Sequence, residues 1–104
     1  MKRYHLLITA PAEIDIITLV DFIALDKPLA AEKFKIRLVK KINTLKSLPY
    51  RGHKIRELDE TKLAQANYRE LSLKPCRIIY RIMDETQKII ILRVLHAKSL
   101  FSLN

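Results

Sequence analysis

The chain has 104 residues, and 49% of them are apolar, which excludes a disordered polyelectrolyte and fits one domain with one modest core. Against 20 Lys and Arg stand 11 Asp and Glu, a net charge of +9, which favours an anionic partner: nucleic acid, an acidic protein or a phospholipid surface. The lone cysteine, Cys76, excludes an intrachain disulfide and a Cys-rich zinc site.

No apolar run approaches the ~18 residues that a membrane helix needs. Met1-Lys2-Arg3 opens like a secretory leader, but the apolar stretch behind it is short and meets Pro11, Glu13 and Asp15. A secretory signal is therefore not expected, and the expected address is the cytoplasm. The single glycine, Gly52, excludes a phosphate loop and a dinucleotide fingerprint. Charge is unevenly spread: residues 1–30 carry a net −1, residues 31–60 a net +5 and residues 61–104 a net +5. There is no internal repeat and no Gly/Ser linker, so residues 1–104 read as a single domain.

Residues 3–9 are β-prone and end before Pro11, which predicts a first strand. A helix over about 11–25 follows, with Pro11 at its first position and Glu13 and Asp15 complementing its dipole. Its apolar stripe is Ile16, Leu19, Val20, Phe22 and Ile23, with Ile14 and Ile17 beside it. Asp26-Lys27-Pro28 reads as a cap and a restart. The second helix carries Ala31, Phe34, Leu38, Ile42, Leu45 and Leu48 on one face, lysines elsewhere, and stops at Pro49. So short a break predicts a helical hairpin. Residues 49–66 look irregular, with Gly52 as a turn and Ile55–Leu58 as a short strand or helical turn. Three β-prone runs, Tyr68–Leu73, Cys76–Met83 and Lys88–Leu95, are separated by short polar turns. The expected fold class is α+β: an N-terminal strand, a helical hairpin, then a three-stranded antiparallel run in one largely antiparallel sheet.

Alternation along the strand at 76–83 sends Arg77, Ile79 and Arg81 one way and Ile78, Tyr80 and Ile82 the other. Arg77 and Arg81 form a cationic stripe that Arg93, His96 and Lys98 extend. Guanidinium groups suit phosphate through paired hydrogen bonds. The plainer reading is a solvated face with Glu70 and Asp84 as ion partners. His96, with an ordinary pKa of about 6.5, suits general acid–base work, or simply a hydrogen bond at a strand end. His5 and His53 show no metal spacing, and no metal or cofactor is expected. Cys76 reads as a small hydrophobe within a strand, and the serines carry no nucleophile signature. The basic second helix is better explained as a core-facing helix with solvated lysines than as a membrane helix.

The stretches TAPAEIDIITLVDFIALDKPLAAEKF, LKSLPYRGHKIREL, YREL, RIIYRI and IIILRVLHAK follow one another over residues 5–98. In that order they resemble the RelE/ParE superfamily of type II toxin–antitoxin toxins, on its ParE-like branch, which includes plasmid stabilisation proteins. The resemblance implies the same strand, hairpin and three-strand architecture. It also implies a cognate antitoxin whose C-terminal segment wraps the toxin, in a hetero-oligomer without a membrane. A basic toxin and an acidic, partly disordered segment match electrostatically. ParE-like members poison DNA gyrase, with no hydrolytic chemistry of their own. RelE-like members instead cut mRNA on the ribosome. By position, that branch's cations fall on Arg69, Arg77 and Lys98, with His96 as the natural proton carrier. The candidate target-binding surface is therefore Arg69, Arg77, Arg81, Arg93, His96 and Lys98. A third expectation is a basic binding module without toxicity.

Overall fold

The computed structural model describes residues 3–55, 57 and 67–101. Its elements are β1 (His5–Ile8), α1 (Ala10–Ala24), α2 (Pro28–Thr44), a 3₁₀ turn (Pro49–Arg51), β2 (Tyr68–Leu73), β3 (Cys76–Met83) and β4 (Lys88–His96). The strands form one sheet in the order β1-β4-β3-β2. The pairs β2–β3 and β3–β4 are antiparallel, and β1 lies parallel to β4. The sheet is thus largely antiparallel as expected, and β1 makes it mixed by adding one parallel pairing. Two helices between β1 and the later strands bring the chain back by a crossover, which is how parallel neighbours arise. Most of Ile55–Leu58, the expected short strand or turn, lies outside the described residues.

Thr9 starts α1. Its hydroxyl accepts a hydrogen bond from the Ala12 amide at 3.2 Å and donates to the Leu92 carbonyl at 3.0 Å, so one side chain caps the helix and ties it to β4. Ala10 takes the first helical position and Pro11 the second. On α1, Ile16, Leu19, Val20 and Ile23 pack inward, while Phe22 is 72% exposed. Lys27 begins α2 without a side-chain cap, and its carbonyl accepts from Ala31. Ala31, Phe34, Leu38, Ile42 and Leu45 are buried as their spacing predicts. The helix ends at Thr44 rather than at Pro49, and Leu48 is exposed. There the Thr44 hydroxyl turns back on the Lys41 carbonyl at 2.6 Å and accepts from Arg51 at 2.8 Å.

Both helices cover one face of the sheet. Leu38, Leu45, Ile78, Tyr80, Ile89, Ile91 and Val94 are almost wholly buried there. On the other face, Ile55, Ile79 and Phe101 form a smaller cluster flanked by Tyr68, Leu92 and Leu95. A bulge falls in β4, because Ile79 opposes Arg93 while Tyr80 opposes Ile91.

Gly52 sits where no side chain fits. A Cβ at this position would stand 2.5 Å from both the Glu70 carbonyl and the Tyr80 hydroxyl. The Gly52 amide donates to that hydroxyl at 2.8 Å, and the hydroxyl donates to the Pro49 carbonyl at 2.8 Å. His53 exchanges two backbone hydrogen bonds with Glu70, which pins the loop against the β2 edge.

Candidate target-binding face

Register decides which of the expected surface residues share a face, since residues directly opposite point the same way. Arg77 lies opposite Ser72 and Leu95, and Arg81 opposite Tyr68 and Ile90. Both arginines therefore belong to the sheet face that the helices leave open. Arg69 is opposite Tyr80 and His96 is opposite Cys76, which places them on the helix-covered side. The expected residues are thus divided between the two sides of the sheet. Arg77 lies on the face opposite His96, the expected proton carrier, whereas Arg69 shares the side of His96.

Arg77 is 3% exposed, far from a solvated position. One of its terminal nitrogens donates to Glu70 Oε2 at 2.5 Å, and both donate to Glu57. A further bond runs to the Ser99 carbonyl at 2.9 Å, and Glu57 accepts from the Phe101 amide at 2.8 Å. The group carries one positive and two negative charges. Chiefly through its hydrogen bonds to Arg77, the Glu57 carboxyl is held down to about 2. The guanidinium is pushed further up, first by Glu57 and then, against the cost of burial, by Glu70. This cluster anchors residues 99–101 across the open face.

Arg93, Arg81 and Arg69 are also engaged. Arg93 makes two parallel hydrogen bonds to Asp15 on α1, at 2.7 and 2.9 Å. Asp15 also accepts the Val94 amide at 2.9 Å, so it serves β4 beyond the end of β1. Arg81 lies over the Tyr68 ring at 5.4 Å. Arg69 donates to the Gly52 carbonyl at 2.9 Å and stands 4.9 Å from the Tyr50 ring centre. His96 and Lys98 are exposed at the end of β4, where His96 Nδ1 accepts from the Lys98 amide at 3.1 Å. Cys76 is buried, which pushes its thiol up to about 11. Among the described residues, no His, Cys, Asp or Glu cluster suited to a metal is present. No helix among them is long and apolar enough to cross a membrane.

Of the partners expected for the arginines, Glu70 takes up its role, and Asp84 also gathers three uncharged side chains. Asp84 accepts the Tyr4 hydroxyl at 2.7 Å, the Tyr50 hydroxyl and the Asn67 amide at 3.2 Å. The same carboxylate raises Tyr50 to about 12. Glu57 and Asp15 were not legible as partners. Their arginines lie 20 and 78 residues away, and no local pattern reports such contacts.

The family model for the ParE toxin of type II toxin–antitoxin systems, parDE, matches residues 6–101. The chain belongs to the ParE toxin family. Two solved structures have the same fold as this ParE-family chain. One is the chromosomal ParDE system from P. aeruginosa, 21% identical, with a TM-score of 0.73 over 92% of this chain and 98% of that one. The other is the RelBE2 toxin–antitoxin complex from Mycobacterium tuberculosis, 26% identical, with a TM-score of 0.66 over 95% of this chain and 97% of that one. No curated protein matches. The ParE family places the chain among type II toxins, and the α+β fold agrees with both neighbours.

Proposed function

We propose that this ParE-family toxin acts by binding DNA gyrase, has no catalytic activity of its own, and is held inactive by a cognate antitoxin. The observation that carries the reading is the separation of Arg77 from His96 by the sheet itself. Cleavage of RNA would need a proton carrier and a cation around one phosphate. Of the three candidate cations, Arg77 is buried between two carboxylates, whose combined charge repels phosphate, and it lies on the other face from the proton carrier. A surface that docks to a protein needs neither group free. Membership of the ParE family supports the same choice.

An antitoxin partner is supported by the apolar surface of the helical hairpin. Phe22, Leu25 and Leu29 at its tip, and Ile36 and Val39 along α2, are exposed beside Lys35 and Lys40. Apolar side chains rimmed by lysines suit an amphipathic acidic segment. Antitoxin association is expected to slow as salt rises, through loss of steering. An association rate indifferent to salt contradicts that contribution.

The test of the target is a purified supercoiling assay beside a ribosome-dependent mRNA cleavage assay. The chain is expected to block supercoiling and leave mRNA intact. Normal supercoiling at high toxin-to-gyrase ratio overturns the reading. Cleavage of mRNA by the parent chain overturns it as well.

A further inference from the structure

Seven Lys or Arg and one acid, Glu32, fall between residues 27 and 46, which span α2. The cations are not spread evenly around the helix. Lys33, Arg37 and Lys41 follow one another at i, i+4 and i+8, so they form one row about 12 Å long. Lys33 and Arg37 are exposed, and Lys41 is half-buried. Arg37 donates to the Lys74 carbonyl at 3.4 Å, which sets the exposed Lys74 of the β2–β3 turn beside the row. Among the described residues, no carboxylate forms an ion pair with any of these four. Lys35 and Lys40 belong elsewhere: with Glu32, Ile36 and Val39 they line the shallow apolar groove of the hairpin.

The row does not serve the helix that carries it. Like charges at i and i+4 repel and weaken a helix, and carboxylates set among the cations would have relieved this. Nor does the row suit the core of a protein interface, where lysine is depleted, because it holds no apolar side chain of its own. Cations in line are what a phosphodiester backbone meets. A duplex presents one negative charge per ~1.7 Å of its axis, so a row about 12 Å long lies against several phosphates. The aromatic residue of α2, Phe34, is buried, which leaves the row without a ring on which an unpaired base could stack.

We propose that the row of Lys33, Arg37 and Lys41, with Lys74 beside it, binds the phosphate backbone of duplex DNA without reading its sequence. The choice of DNA over duplex RNA rests on the gyrase reading, in which the target is itself DNA-bound; the phosphate site stands on the row alone.

The test is fluorescence anisotropy of the full chain with a labelled DNA duplex of mixed sequence, over a range of salt. Lys33→Gln with Arg37→Gln and Lys41→Gln should weaken binding and reduce the salt slope by about 2.7, three phosphates at about 0.9 each. Arg3→Gln with Lys35→Gln and Lys88→Gln removes the same charge off the row and should reduce the slope by less than about 0.9, one contact. Lys33→Arg with Lys41→Arg should keep the parent's slope. Gln matches Lys in helix propensity and relieves the repulsion, so the row variant should melt no lower than the parent. An unchanged slope in the row variant, or equal losses in the two triple variants, overturns the proposal. A row variant that melts well below the parent does so too, because the cations then serve the fold. Tighter binding of unpaired oligo(dT) than of duplex overturns it as well. Displacement of the duplex by poly-glutamate as readily as by unlabelled DNA assigns the row to an acidic protein instead. Tighter binding of duplex RNA overturns the assignment to DNA. Gyrase is absent from this measurement, so the supercoiling assay on the parent decides the gyrase reading separately.

Discussion

Arg77 shows how one side chain changes meaning once its surroundings are known. As part of a strand it is a surface cation; in the fold it is the buried centre of a group with Glu57, Glu70 and the 99–101 segment. Removing one partner of a buried pair strands the other charges, at a cost of about 3–5 kcal/mol. Arg77→Met is therefore expected to lose about that much in denaturant unfolding, and a loss below about 0.5 kcal/mol, typical of surface sites, contradicts the burial. Glu57 adds a pH signature. Its carboxyl falls from an ordinary 4.5 to about 2 in the fold. A depressed carboxylate stabilises above its unfolded value and loses that contribution as pH falls through the folded one. The parent should thus lose stability relative to Glu57→Gln between about pH 4.5 and 2. Parallel pH curves for the two proteins rule out the coupling. Gly52→Ala is expected to cost about 1–3 kcal/mol by overpacking against Glu70 and Tyr80. An alanine variant as stable as the parent means that the loop can move away.

At the scale of elements, the stripe on α2 predicts its own burial. Leu38→Ala should destabilise by about 2–5 kcal/mol, whereas Leu48→Ala, past the helix end, should stay within about 0.5 kcal/mol. Equal costs in a thermal or urea series contradict the placement of the helix end at Thr44. The helices and the three late strands were legible because apolar period and turn residues are local signals. The parallel pairing of β1 with β4 was not, since strand order follows from how the crossover returns and no local residue records it. Faces on β3 were read correctly from alternation: Ile78, Tyr80 and Ile82 lie in the helix-side core. That Arg69 and His96 lie on the other side from Arg77 was not legible, because register between strands cannot be read from either strand alone. Asp15 belongs here too. In sequence it is a charge near a helix start, but its two oxygens bind Arg93 and the Val94 amide, coupling α1 to β4.

For the whole molecule, the net charge of +9 remains the broadest clue, and among the described cations Arg77 and Arg69 lie on opposite sides of the sheet. The open sheet face spends Arg77 on carboxylates, and the hairpin offers apolar side chains among lysines. Both features fit a protein that works by docking. The measurement that tests this most directly is pulse-labelling of DNA and protein synthesis in a bacterial host, after induction of the chain without antitoxin. Early loss of DNA synthesis with translation intact is the predicted result. Early loss of translation with DNA synthesis intact contradicts gyrase as the target.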